Sequence, residues 1–173
     1  EIWFLRAEAA LRGFTSEDVE SCYKQGVTTS FAQWDASGVS EYLESENTPA
    51  DYVDTFDKNF DAKATTSITP KWDNAADNET KLERIITQKW LALYPEGCEA
   101  WAEQRRTGYP KLFKVVVNNS SNTISTDEMI RRVFFNQDYI TNNKPLYDAL
   151  VSKLGGQDTG GTRLWWDTGK NNF

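Results

Sequence analysis

The chain has 173 residues and no histidine, and its 19 Lys and Arg against 26 Asp and Glu give a formal charge of −7. The missing imidazole excludes a Ser-His-Asp triad, a Cys-His dyad, an HExxH zinc site and a histidine base. The acidic balance argues against binding to a phosphate backbone, hence against a nucleic-acid partner.

The length fits one domain with a core of its own. Ten Gly and five Pro are few, which favours helices. Glu1 to Leu11 reads as an apolar helix stopped at Gly13. There is no initiator Met and no signal peptide, and natural chains seldom begin inside such a helix, so a fragment or processed chain is expected. A second helix is predicted from Thr15 to Trp34, with Thr15 and Asp18 spaced as a capping box. Its stripe is Val19, Cys22, Tyr23, Gly26, Val27, Ser30, Phe31 and Trp34. Cys22 on that stripe reads as a small buried hydrophobe; the alternative is a Cys22–Cys98 disulfide in an exported protein. Asp35 to Gly38 is a turn and Val39 to Glu44 at most a short helix. Thr48-Pro49 then opens a third helix with Tyr52, Phe56 and Phe60 along one face.

Residues 62–78 are polar and irregular and read as a long loop carrying Trp72. Asn78 is expected to cap the strongest helix, whose stripe is Leu82, Ile85, Ile86, Trp90 and Leu93. Trp90 is expected in the core, where Trp90→Ala costs about 3–5 kcal/mol. Pro95 and Gly97 end this helix, and Glu99 to Arg106 forms its partner, stopped by Gly108 and Pro110. Leu112 to Val117 favours an extended chain and Asn118 to Asn122 a turn. From Ser125 to Phe135 a capping pattern conflicts with a β-branched and aromatic run. A last helix runs from Pro145 to Leu154 and closes at Gly155-Gly156. The tail carries Trp165-Trp166, read as an anchor for the C-terminus. The class is all-α, helical hairpins with long irregular loops. No strict repeat period is present, and no apolar run is long enough to span a bilayer.

Four groupings bear on chemistry. Glu96, Glu99 and Glu103 flank Trp101, as the paired carboxylates of a glycosidase would; the plainer reading is a solvated face paired with Arg105 and Arg106. Asp73, Asp77 and Glu79 lack the central Gly and the twelfth-position Glu of a calcium loop, so no metal is expected. Gly155-Gly156 and Gly160-Gly161 lack the order of a phosphate loop and read as turn glycines. Trp72 sits in a polar loop beside Asp73 and Asn74. An exposed indole stacks on the apolar face of a sugar while acid and amide groups bind its hydroxyls, which makes Trp72 and Asp73 the candidate ligand-binding residues. The competing reading is a loop Trp plugging the helical core, since large aromatics are buried on average.

Several of these segments resemble SusD/RagB-like proteins, in family order. They are Phe4-Leu5-Arg6-Ala7-Glu8-Ala9-Ala10-Leu11, Gln88-Lys89-Trp90-Leu91-Ala92-Leu93, Glu99-Ala100-Trp101, and Arg105-Arg106-Thr107-Gly108-Tyr109-Pro110-Lys111-Leu112. Arg131-Arg132, Asn142-Asn143 with Tyr147 and Ala149, Gly155-Gly156-Gln157-Asp158 and Thr162-Arg163-Leu164-Trp165-Trp166-Asp167 complete the likeness. One departure is Phe134-Phe135-Asn136, where members usually carry Tyr-Pro after the Arg-Arg pair. The resemblance implies the C-terminal part (1–173) of a longer, TPR-like helical protein, with its lipid-bearing cysteine on the missing N-terminal part. It implies a lipoprotein on the outer face of the outer membrane, no enzyme and no cofactor. Such a protein captures an oligosaccharide, polysaccharide or other nutrient and passes it to a SusC-like TonB-dependent transporter, or serves that complex as a TPR-like scaffold. It further implies that much of the glycan site is supplied upstream of this chain, and that the Arg105-Arg106 and Arg131-Arg132 pairs are structural.

Overall fold

A computed structural model describes all 173 residues. It holds α1 (Ile2–Leu11), α2 (Val19–Gln33), α3 (Val39–Leu43), α4 (Asn78–Ala92), α5 (Gly97–Thr107), α6 (Gln137–Asn142) and α7 (Lys144–Leu154), with one 3₁₀ turn at Lys58–Phe60. There is no sheet; one isolated antiparallel bridge joins Tyr52 and Ala62. The all-α expectation therefore holds. The chain forms two compact units. The first comprises Glu1–Ala50, Ala64–Leu112 and Asn171–Phe173, the second Asp51–Lys63 and Phe113–Lys170. No helix is long and apolar enough to cross a membrane.

Helix starts follow the side chains able to accept a free N–H. Asp18, in the extended region, accepts from Ser21 N at 2.8 Å, so the cap of α2 lies three residues after the expected Thr15. Asp77 accepts from Thr80 N at 2.7 Å, so Asn78 is the first residue of α4 rather than its cap. Gly108 and Gly155 end α5 and α7 at φ 79° and 75°, a left-handed turn that glycine adopts without strain.

The first unit is built on apolar burial. In it α1 packs on α2 and α4, α2 on α3 and α4, and α4 on α5. Phe4 and Ala7 of α1 meet Cys22, Tyr23 and Val27 of α2 and Leu82, Ile85 and Ile86 of α4. Gly26 lets α1 and α2 come this close: a Cβ there would stand 2.8 Å from the Phe4 ring. Cys22 is a buried free thiol and Cys98 an exposed one, so the disulfide alternative does not apply. Trp90 departs from the expected core and is only half-buried. Lys89 is 1% exposed instead, because the α4–α5 side of the helix is lined by carboxylates that pair with its ammonium. Trp34, expected on the buried stripe, is exposed.

The second unit contains none of the fully buried hydrophobic residues. The expected helix after Pro49 is absent, and Phe56 stands 98% exposed. The reason lies in the aspartates. Asp54 Oδ1 accepts from the N–H of Phe56 and of Asp57, both at 2.8 Å, and Asp57 Oδ1 accepts from Asn59 N at 2.9 Å. Asp61 Oδ1 accepts from Asp54 N at 2.8 Å. These bonds take the N–H groups that a helix would use. The helix α6, unanticipated, starts where Asn136 accepts from Asp138 N. Buried Arg131 makes a two-pronged bond to Asp167, 2.7 Å on each arm, and buried Arg132 pairs with Asp158. Of the expected anchor pair, Trp165 is 91% exposed while Trp166 is half-buried, and Asp167 adds a buried ion pair to the tail.

Candidate ligand-binding surfaces

The two residues singled out by sequence part company in the structure. Trp72 is 8% exposed and belongs to the core of the first unit, with its ring 5.1 Å from that of Tyr23. Its indole N–H donates to Asn74 Oδ1 at 2.9 Å, and Asn74 Nδ2 donates to Glu20 at 2.8 Å. A sugar needs an open ring face, and this ring offers at most an edge. The geometry is that of the competing core-plug reading. Asp73 is exposed and accepts from Ala75 N at 2.9 Å.

Behind Trp72 lies a feature that periodicity does not reveal. Arg84 of α4 stands 6.0 Å from the Trp72 ring and is 5% exposed. Its Nε donates to Thr69 O at 3.0 Å, while Nη1 is buried with no hydrogen-bond partner. Arg84 lines a polar cleft of about 690 Å³ with Thr65, Thr66, Ser67, Glu83 and Lys111. Glu83, 6% exposed, accepts from the Thr66 hydroxyl and pairs with Lys111 at 3.0 Å. The sequence clue was a lone arginine beside the apolar stripe of α4, which ordinarily reads as a solvated edge.

The carboxylates around Trp101 form a different arrangement from a solvated face. Glu103 is 6% exposed and lies 3.3 Å from the Lys89 ammonium; Glu99 and Glu1 stand farther off at 3.7 and 3.6 Å. Arg106 bridges Glu8, at 2.8 and 2.6 Å, and Glu103, at 3.1 and 2.8 Å. Arg12 Nε adds a 2.8 Å bond to Glu8. Burial alone would raise the Glu8 pKa, yet the bonds and charge of Arg106, then of Arg12, hold it below the usual carboxylate range. The same carboxylates hold the Arg106 guanidinium above its ordinary value against the cost of burial. Arg105 stacks 3.7 Å over the Trp101 ring. Glu103 is thus committed to salt bridges.

The three would-be calcium ligands are also employed elsewhere. Asp77 caps α4. Glu79 accepts from the Tyr109 hydroxyl at 2.9 Å, from Asn172 Nδ2 at 3.1 Å and from Phe173 N at 3.2 Å.

An apolar depression of about 470 Å³ lies at the end of α4, lined by Trp90, Leu91, Tyr94, Pro95 and Ala100. Tyr94 is 71% exposed and its ring is 6.0 Å from that of Trp34.

The Susd and RagB outer membrane lipoprotein (SusD-like) family profile matches residues 1–167. No curated protein matches the chain. Among solved structures, a chitin-binding SusD homolog from Flavobacterium johnsoniae is 46% identical, with a TM-score of 0.91 over 99% of this chain and 36% of its own. A SusD homolog from Bacteroides vulgatus is 57% identical, TM-score 0.90, over 99% of this chain and 35% of its own. One from Bacteroides thetaiotaomicron is 40% identical, TM-score 0.90, over 98% and 37%. The chain thus spans about a third of the length of these relatives.

Proposed function

The chain belongs to the SusD-like family of outer membrane lipoproteins, and from that premise we propose that it is the C-terminal part of a cell-surface protein that captures oligosaccharide and hands it to a SusC-like TonB-dependent transporter. The observation that carries this reading is the likeness to the chitin-binding homolog, at 46% identity over nearly the whole chain. Capture is non-covalent: ring faces and hydrogen-bonding groups hold the sugar, and release follows docking to the transporter.

Aromatic supply supports the reading. In the first unit Trp34 and Tyr94 keep open faces beside the apolar depression. In the second unit the Phe56 ring stands clear on an aspartate-pinned loop. The engagement of Glu103 by Lys89 and Arg106 supports binding over hydrolysis, because a general acid must be free to exchange its proton.

A glycan array and calorimetry on the full-length protein, with chitooligosaccharides included, test the proposal. Binding is expected between micromolar and millimolar, about −8 to −4 kcal/mol. Silence in both assays overturns it and favours a peptide cargo. Reducing-sugar release that disappears in Glu103→Gln would favour a hydrolase, and transporter capture without sugar binding a scaffold.

A further inference from the structure

Three arginines are buried to 6% exposure or less. Arg131 holds Asp167 and Arg132 holds Asp158. Arg84 forms no ion pair; its Nε is spent on a backbone carbonyl and its Nη1 has no partner. A buried guanidinium without its counter-charge is costly, and chains retain such a group when something supplies the missing partner.

Nη1 itself is closed to solvent, so the balancing group acts on the guanidinium charge from the cleft, and the walls around Arg84 say what that group is. Across the cleft, Arg84 and Lys111 bring two positive charges and Glu83 one negative, so one positive charge is left over in a chain whose formal total is −7. Glu83 cannot serve Arg84 as well, since the Thr66 hydroxyl and the Lys111 ammonium already engage it. Lys111, half-exposed, is the charge that an entering anion meets first. Threonine and serine hydroxyls line the remaining wall, and about 690 Å³ is room for a saccharide unit. Guanidinium and ammonium groups over a hydroxylated wall suit one oxyanion on a polyhydroxylated ligand.

We propose that the Arg84 cleft binds the anionic substituent of an acidic sugar, a carboxylate or a sulfate ester. Resting on the glycan-capture reading above, this narrows the ligand class to charged oligosaccharides. Arg84 supplies the buried charge, Lys111 the entering contact, and Ser67, with the acceptor side of the Thr65 hydroxyl, meets the ring hydroxyls, the Thr66 hydroxyl being held by Glu83 and the Ile68 N–H.

The test is calorimetry on the full-length protein with three series of equal length: galacturonate oligosaccharides, sulfated galacto-oligosaccharides and their neutral counterparts. At least one charged series is expected to bind about ten- to a hundredfold tighter than the neutral one, the yield of a charge-assisted bond. The carboxylate and sulfate arms then tell the two substituents apart. Arg84→Met is expected to abolish the preference. Should that variant fail to fold, Lys111→Met at its half-exposed position is expected to reduce the preference about threefold. Neutral ligands binding as tightly as charged ones would overturn this proposal and leave glycan capture standing, with Arg84 then answered by a carboxylate from the rest of the polypeptide. A preference that survives both substitutions would also overturn it. No binding by any of the three series would also overturn this proposal, while glycan capture is decided separately by the array and the chitooligosaccharide calorimetry above.

Discussion

The two units of this chain are held together by different forces. The first hides Phe4, Tyr23, Val27, Leu82, Ile85 and Ile86 in one apolar core. The second has no fully buried hydrophobic residue and closes around Arg131–Asp167 and Arg132–Asp158. Apolar burial is non-directional, and a helix achieves it with a stripe of residues in any of several packings. A two-pronged arginine–carboxylate pair demands one geometry and tolerates no missing partner. The first unit should therefore lose stability gradually under substitution, the second abruptly.

The largest effect is expected in the second unit. Arg131→Met leaves Asp167, whose side chain is 1% exposed, with only Arg163 as its counter-charge. Breaking such a buried pair costs about 3–5 kcal/mol. Hydrogen exchange by mass spectrometry on the full-length protein should show Phe113–Lys170 peptides losing protection while α4 peptides keep theirs. Equal loss in both would dissolve the distinction between the units. The double change Arg131→Met with Asp167→Leu should recover much of the loss, because it removes the lone charge along with the pair.

That contrast also explains what the sequence made legible. Wherever apolar burial decides, period-3.6 spacing found the element: α1, α2, α4 and the buried Leu82, Ile85 and Ile86 were foreseen. Helix ends shifted by one to three residues because the capping side chain, Asp18 or Asp77, was a neighbour of the one expected. Tyr52, Phe56 and Phe60 have the same four-residue spacing yet form no helix, since the interleaved Asp54, Asp57 and Asp61 bond to the backbone. Periodicity counts rings and is blind to that competition. Trp72 was visible as an odd loop tryptophan, but whether its ring faced a sugar or Tyr23 depends on a contact forty-nine residues away in sequence. The Arg84 cleft has no local signature, because its walls come from a loop, a helix and the irregular segment after α5.

Within the first unit, Gly26→Ala tests how tightly the core is filled. The added Cβ would meet the Phe4 ring at 2.8 Å, and Phe4, 1% exposed, has nowhere to move. Overpacking costs about 1–3 kcal/mol, offset by a helix-propensity gain of about 1 kcal/mol. A net loss of about 0–2 kcal/mol in urea unfolding is expected, and a stabilised variant would show that α1 and α2 can separate. Trp90→Ala should cost about 1–2 kcal/mol, below the figure for a fully buried ring, because Trp90 is only half-buried beside an open depression. A loss above about 3 kcal/mol would mean that the depression is filled in the full-length protein.

The smallest expected effect concerns pH and lies within the first unit. The carboxyl of Glu8 is held below its ordinary range by Arg106 and Arg12, despite burial, and that of Glu79 by Asn172, Tyr109 and the backbone N–H of Phe173, also despite burial. A carboxylate whose folded pKa is depressed contributes stability that is complete above its unfolded value, about 4.3, and is lost as pH falls through the folded value. Urea midpoints followed by helical circular dichroism, a signal dominated by the longer helices of the first unit, should therefore stay level from neutral pH to about 5 and decline below about 4.5. Glu8→Gln removes one of these two carboxylates, lowers the midpoint at neutral pH and flattens the acid limb. An unchanged acid limb in Glu8→Gln would mean that Arg106 and Arg12 stabilise Glu8 no better in the folded chain than water does in the unfolded one, and the network joining α1 to α5 would then be geometry without energetic weight.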